Sequence, residues 1–234
     1  LDNFKNNESL FRLGLGWRFG QPGQPQSKPE RVDYSGFYAG GQLGYGELQT
    51  PLNAIQNDGG TYPCTNCQLS ADFGHNNATA GVFAGYGIEF DNHLYLGVEL
   101  ETEGSHERWT HQRGTGGRDF SVHRNGGYGA SARIGYALSS GSLLYARVGG
   151  VRSTFNTIYN KGNVANWIDR NDKISGVRYG IGAEVPASRH AFLRMDYSYT
   201  SYDGYGFTTA HANADTVRFD NRESLFRLGL GWRF

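Results

Sequence analysis

The stretch ESLFRLGLGWRF, Glu223–Phe234, alternates with a period of two. Phe226, Leu228, Leu230, Trp232 and Phe234 fall on one side of an extended chain, and Arg227, Gly229, Gly231 and Arg233 fall on the other. That period belongs to a β-strand with two different faces, one apolar and one built of small and cationic residues. The same twelve residues stand, without a substitution, at Glu8–Phe19.

Seven further segments carry the same signature: GFYAGGQLGYG (36–46), ATAGVFAGYGIEF (78–90), LYLGVELETE (94–103), GYGASARIGYAL (127–138), LLYARVGG (143–150), GVRYGIGAEV (176–185) and AFLRMDYSYT (191–200). In each, apolar residues hold alternate positions, as Leu94, Leu96, Val98 and Leu100 do against Tyr95, Gly97, Glu99 and Glu101. The connections alternate in length. Asp91–His93, Ser139–Ser142 and Ala187–Arg189 are tight turns, whereas 48–77, 105–125, 154–173 and 203–221 read as long polar loops. Short turns at one end and long loops at the other predict an all-β fold, an eight-stranded antiparallel up-and-down barrel that crosses a membrane.

Composition agrees. The chain has 35 Gly, 15 Tyr and 14 Phe among 234 residues, a mixture that suits tightly packed strands and disfavours long helices. Lys plus Arg equals Asp plus Glu at 22 each, so global charge gives no reason to expect nucleic acid as a partner. No stretch approaches the roughly 18 consecutive apolar residues of a transmembrane helix. The opening LDNFKNNE lacks the basic-then-apolar signature of a signal peptide, which decides nothing for a processed protein.

The orientation of the faces separates a soluble barrel from a membrane barrel. A solvated outer face has little use for so many glycines, but a narrow eight-stranded bore has room only for the side chains that fill it. The apolar face therefore reads as lipid-facing. The inward set is then Glu89, Glu99, Glu101, Glu184 and Asp196 against Arg133, Arg147, Arg178, Arg194, Arg227 and Arg233, which must pair because buried unpaired charge is costly. Glycine beside arginine makes room for the long side chain. Phe37, Phe90, Tyr136, Trp232 and Phe234 fit an interfacial girdle at the short-turn end, and Tyr45, Tyr128, Tyr197 and Tyr199 one at the other.

FYAGGQLGYG as first strand, FLRMDYSYTSYD as seventh and a last strand ending GLGWRF resemble the eight-stranded OmpA-like outer-membrane proteins, and within them the opacity-type surface proteins of alphaproteobacteria. The resemblance covers about Ser35 to Phe234. It implies a Gram-negative outer membrane with lipopolysaccharide around the wall, long loops outside and short turns in the periplasm. It also implies a C-terminal strand, Phe226, Leu228, Leu230, Trp232 and Phe234, read by the barrel assembly machinery. Members act as surface antigens, adhesins, envelope-stabilising proteins or narrow pores, and the peptidoglycan-binding domain of the longer OmpA-type proteins does not follow the barrel.

Candidates for chemistry are few. Cys64 and Cys67, in TYPCTNCQL, read as a local disulfide in the first long loop, with a redox motif or half a zinc site as alternatives lacking their usual context. His106, His111 and His123 lie near Glu103 and Glu107. With Ser105 they supply the residue types for a lipid A deacylase, but neighbours on a strand point to opposite faces, so solvated loop residues are the expected reading. Trp109, Trp167, Tyr62 and Tyr159 suit protein or glycan contact at exposed loops. No enzyme, cofactor or metal is expected. The lumenal Arg/Glu set is expected to plug the bore, with a narrow passive channel as the rival.

The duplicate defines the remaining organisation: residues 1–19 as an extra copy of the last strand, 20–34 as a Pro/Gly/Gln-rich linker, and 35–234 as the barrel. The copy is compatible with the end of a preceding tandem barrel, a spare strand that competes for or swaps into a barrel, or an artificial duplication. The expectation is linked or oligomeric barrels.

Overall fold

Three tight turns set one rim of the barrel. At the first, the Phe90 N–H donates to Leu94 O at 2.8 Å and His93 takes a left-handed φ of 67°. At the second, Gly141 supplies a φ of 82° that a side chain would strain. At the third, Ser188 Oγ accepts from the Ala191 N–H at 3.0 Å. The structure is a computed structural model and describes residues 32–58, 64–105, 108–112, 119–160, 167–208 and 216–234. The first copy of the repeated strand and most of the linker lie outside the described residues.

The described strands, in chain order, are β1 (Gly36–Asp58), β2 (Cys64–Glu89), β3 (Leu94–Ser105), β4 (Arg108–Gln112), β5 (Asp119–Ala137), β6 (Leu143–Asn160), β7 (Trp167–Pro186), β8 (Ala191–Tyr202), β9 (Tyr205–Thr208), β10 (Thr216–Phe219) and β11 (Arg222–Arg233). β1, β2, β3, β5, β6, β7, β8 and β11 form a closed eight-stranded antiparallel wall. β11 closes it, in register with β8 from Arg222↔Ser201 to Trp232↔Ala191 and with β1 from Gln49↔Arg222 to Tyr38↔Arg233.

A membrane crossing takes about 9–11 strand residues. β3, β8 and β11 have 12 each, but β1 has 23 and β2 has 26, so much of the wall rises beyond the bilayer. The segments read as long polar loops are largely strand. Polarity inverts where the wall leaves the membrane. On β7 the outward residues Val177, Tyr179, Ile181 and Val185 are exposed and apolar, and the outward residues further out are Ser175, Lys173, Asn171 and Asp169. Inward, Arg178 gives way to Ile174, and on β6 Arg147 gives way to Val151 and Phe155. The apolar residues of the outer part have changed face.

There the wall also divides. Beyond Thr79↔Ser105 no pairing joins β2 to β3 among the described residues. β10 and β9 add to β1 through Leu52↔Phe219, and β4 adds to β5. Two groups of strands face each other across a buried apolar cluster. Leu48, Phe207, Val217 and Phe219 come from one side, and Val122, Val151, Phe155 and Ile174 from the other, with Tyr202 beneath.

The inversion makes a differential prediction. Ile181→Arg, near the middle of the lipid-facing row of β7, should cost about 2–4 kcal/mol in denaturant unfolding from lipid vesicles. Ser175→Arg, three repeats of the pleat further out, should change stability by no more than about 0.5 kcal/mol.

Candidate functional site

The inward positions of the membrane belt hold charge where a soluble protein keeps its core. From the short-turn rim outward, Arg233 Nη2 lies 2.9 Å from Glu184 Oε2, and Glu184 Oε1 lies 2.6 Å from Arg133 Nη2. Arg133 Nη1 reaches Glu99 Oε2 at 3.1 Å. Arg194 grips Glu99 with two parallel bonds, both 2.9 Å, the strong fork geometry of guanidinium on carboxylate. Arg147 stands 3.5 Å from Glu99 and 2.8 Å from Glu101. Asp196 receives Arg227 at 3.2 Å and Arg194 at 3.4 Å, and accepts from the Tyr145 hydroxyl at 3.0 Å.

Further out, Arg178 bridges Glu101 at 2.8 Å, Glu103 at 2.7 Å and Glu223 at 3.2 Å. Glu103 also takes Arg124 at 2.6 Å and Arg227 at 3.0 Å, and Glu223 takes Arg124 at 3.1 Å. Every member but Arg233, which ends the series on Glu184, contacts a further partner, so the ion pairs run unbroken through the middle of the bore. Seven guanidiniums (124, 133, 147, 178, 194, 227, 233) meet six carboxylates (99, 101, 103, 184, 196, 223).

Aromatic rings seat the rim end of this column. The Arg133 guanidinium lies 3.7 Å from the Tyr145 ring centroid, Arg194 4.5 Å from Phe83 and Arg233 4.4 Å from Tyr34, contacts that add cation–π attraction to each charge. Tyr34, at the end of the expected linker, is buried in the mouth and donates its hydroxyl hydrogen to Gly141 O at 2.7 Å. The glycines serve these rings more than the arginines. Tyr38 pairs across strands with Gly85, Tyr145 with Gly182 and Phe192 with Gly231, and a Cβ at any of those glycines would strike the facing ring. The bore thus has three tiers: aromatic at the short-turn rim, ionic in the middle, aliphatic and aromatic at the far end.

Of the residues expected here, Glu99, Glu101, Arg133, Arg147, Arg178, Glu184, Arg194, Asp196, Arg227 and Arg233 are all in the column. Glu89 is not. It sits at the rim, accepts from the Tyr34 N–H at 3.1 Å and lies 3.5 Å from His93. Three members escaped the sequence reading. Glu103 and Glu223 simply continue the inward alternation of β3 and β11. Arg124 comes inward through a bulge, because the β5–β6 register shifts between Arg124 and Gly126, where Gly126 takes a φ of 151°.

The lipid A deacylase set is not assembled among the described residues. Glu103 is committed to three arginines, Ser105 is buried, and His123 pairs in register with Arg108 on the outer part of β5. His106, Glu107 and Tyr62 lie outside the described residues, as do the side chains of His111, Trp109, Trp167, Tyr159, Cys64 and Cys67. The backbones of both cysteines lie in β2, beside a register shift opposite Gln56 and Asp58. Leu228, Leu230, Trp232 and Phe234 of the C-terminal strand are exposed on the lipid side, and Phe226 is half-buried there.

An inverted eight-stranded barrel, apolar outside and charged within, defines a bacterial outer-membrane wall protein. The family model described as outer membrane protein beta-barrel domain matches residues 23–234, and the chain belongs to that family. It is 24% identical over 189 residues to the 31 kDa outer-membrane immunogenic protein of Brucella melitensis, covering 77% of this chain and 76% of that one. It is 26% identical over 205 residues to outer membrane protein A of Klebsiella pneumoniae, covering 85% of this chain and 51% of the relative. Among solved structures, the outer membrane protein OprG of Pseudomonas aeruginosa superposes with a TM-score of 0.61 at 15% identity, over 87% of this chain and 98% of that one. The protein is located in the outer membrane.

Removing one anion leaves several buried cations uncompensated. Glu99→Gln should destabilise the barrel by about 3–5 kcal/mol. Glu89→Gln, at the rim, keeps an oxygen that can accept from the Tyr34 N–H and leaves no buried arginine unpaired, and should cost less than Glu99→Gln. Paired urea titrations of the two variants in vesicles test this, and equal midpoints would remove the column's structural role.

Proposed function

We propose that the protein is a non-conducting surface barrel, whose membrane wall is a scaffold and whose long hairpins, facing outside the cell, are its interaction surface. The single observation that carries this reading is the filled bore, closed in turn by apolar, ionic and aromatic side chains. The outward polar face of the strands beyond the membrane supports it, since it presents a rigid platform to partners on the envelope surface. Short turns and the mouth around Tyr34 then face the periplasm. In a planar bilayer the purified chain should give no steady openings. Steady conductance of the unaltered chain, abolished by changing Arg147, would establish the rival narrow pore.

We infer further that the C-terminal strand is the signal the barrel assembly machinery reads, and that the duplicate Glu8–Phe19 links barrels. What supports the second inference is that β11 already bonds both β8 and β1, so this barrel is closed without the copy. The copy repeats every buried ion of β11: Glu8, Arg12 and Arg18 correspond to Glu223, Arg227 and Arg233, and only the exposed Arg222 has a different counterpart, Asn7. It therefore suits the same slot in another barrel. Native mass spectrometry from outer membranes should give oligomers that become monomers on deletion of residues 1–19. The same spectra, taken after alkylation with and without reduction, test the Cys64–Cys67 bridge. Closing it requires the chain to leave the extended form, since three strand residues separate Cα atoms by about 10 Å and a disulfide tolerates about 7 Å.

A further inference from the structure

On β6 and β7 the outward row turns from apolar to cationic within one or two steps of the pleat. The lipid-facing residues Leu144, Ala146, Val148 and Gly150 of β6 are followed by Arg152. On β7, Val185, Ala183, Ile181, Tyr179 and Val177 are followed by Ser175 and Lys173. Val177 to Val185 is about one membrane crossing, so these are the first polar positions past the hydrocarbon. The register sets Arg152 opposite Ser175 and Thr154 opposite Lys173. The four side chains form a square on the outer face, with the two cations on one diagonal and two hydroxyls on the other. Tyr128, exposed on the same face, pairs with Arg152 from the β5 side.

Among the described residues neither Arg152 nor Lys173 has an ion-pair or hydrogen-bond partner. The other charges of this outer region are matched within the protein. Asp169 accepts from Asn156 Nδ2 at 2.7 Å, Asp172 takes Arg170 at 2.9 Å, and Arg218 on β10 stands 3.6 Å from Asp220. Diagonal neighbours on paired strands lie about 7–8 Å apart, where like charges repel unless an anion sits between them. Beneath the square the wall is hollow. A Cβ at Gly150 would meet nothing within 4 Å. Gly150 ends a row that the register aligns across five strands, Ala39, Ala84, Leu100, Ala130 and Gly150. Along this row runs an open apolar groove of about 780 Å³, from Phe37 near the short-turn rim to Val148 on β6.

Two unmatched cations at the membrane surface, one step above an apolar trough, have the outline of a phosphorylated amphiphile. We propose that square and groove together bind one lipid A molecule of the surrounding outer leaflet. Its phosphate sits between the Arg152 guanidinium and the Lys173 ammonium, within reach of the Ser175 and Thr154 hydroxyls. An acyl chain lies over Gly150, Ala130 and Ala84. Arginine grips phosphate oxygens with paired N–H groups, and lysine adds a point charge. Charge selects the headgroup. A phosphate monoester carries about −1.5 to −2 at neutral pH and answers both cations. The single charge of a phosphodiester lipid leaves one of them unanswered. Tyr128 stands at headgroup level, where amphipathic rings are favoured. The site rests on the residues of β5, β6 and β7, and only the leaflet rests on the orientation proposed above.

The test is lipid retention by the full chain in nanodiscs holding equal amounts of lipid A, the same lipid A stripped of its phosphates, and phosphatidylglycerol. Native mass spectrometry after detergent release reads which lipid stays. The unaltered protein should keep one lipid A in about tenfold preference to either competitor, a difference of roughly 1.4 kcal/mol. Arg152→Gln with Lys173→Gln should abolish that preference. Arg218→Glu changes the net charge by the same amount away from the square and should leave it intact. Ala130→Phe with Ala84→Phe fills the groove from the lipid side and should lower retention of both forms of lipid A together. Heat-modifiable migration on gels confirms that each variant is folded. Equal retention of the three lipids, a preference that survives the double glutamine variant, its loss in Arg218→Glu, or retention undiminished by the phenylalanines would each overturn the proposal. Long hairpins that resist protease added to intact cells would instead overturn the orientation, and with it the leaflet, while the phosphate preference in nanodiscs stood.

Discussion

The structure depends on the pairing of guanidinium and carboxylate in a bore that eight strands leave too narrow for bulk water. An ion taken alone into such a space pays a desolvation penalty of several kcal/mol, and a partner repays it only in good geometry with its other hydrogen-bonding sites satisfied. Here the bidentate Arg194–Glu99 pair and the three arginines around Glu103 meet the demand for geometry by sharing ions among several partners, while Arg194 Nε and Arg124 Nη1 find no hydrogen-bond partner among the described residues. Sharing also explains the unequal count. With seven cations and six anions no set of isolated pairs would balance, but in a continuous column every charge except Arg233 sees more than one opposite neighbour. The rings of Tyr145, Phe83 and Tyr34 supply negative faces to three of the seven arginines.

Stability alone would not require this arrangement, since well-packed apolar residues often replace buried ion pairs at no loss. Register does require something like it. In a barrel whose two faces differ, a slip of one residue on β11 would turn Glu223, Arg227 and Arg233 into lipid and bring Leu228, Leu230 and Trp232 into the bore. A basic side chain at the bilayer midplane costs about 2–4 kcal/mol, so the wrong register is penalised on both faces at once. Closure by β11 is thus specified chemically by the same ions that fill the lumen. Outside the membrane the constraint relaxes, and the same strands revert to the arrangement of a soluble sheet, with Phe155, Ile174 and Phe219 inside and Lys173 and Arg152 exposed.

That change of solvent marks the boundary of what the sequence made legible. Within the bilayer, strict alternation between large apolar residues and Gly, Arg or Glu was enough to place eight strands, their tight turns and most of the ion column. Beyond it, Leu48, Val151 and Ile174 still alternate with polar neighbours, but the apolar residues point inward, so the continuous apolar face ends at the interface and the strands beyond it resemble polar loops. Arg124 was hidden by a bulge, a backbone event that side-chain periodicity does not record. Glu103 reads as a catalytic acid because it stands near Ser105 and His106, although its spacing of two from Glu101 places it in the bore. The groove beside Ala84 could not be read at all, since it arises from residues on four strands brought into one row by register.

The repeated strand takes its meaning from these same facts. A generic amphipathic strand could pair with any edge, but ESLFRLGLGWRF carries one acid and two bases at positions that face Arg124, Glu103, Asp196 and Glu184 in the barrel it closes. Its fit is therefore to one slot, between β8 and β1, and to a bore of this composition. Identity over all twelve residues preserves that whole set, including glycines 229 and 231, the second of which leaves space for the Phe192 ring. A copy that had merely to span a membrane could have drifted at every one of those positions. What is duplicated is the sequence of the element that closes this barrel.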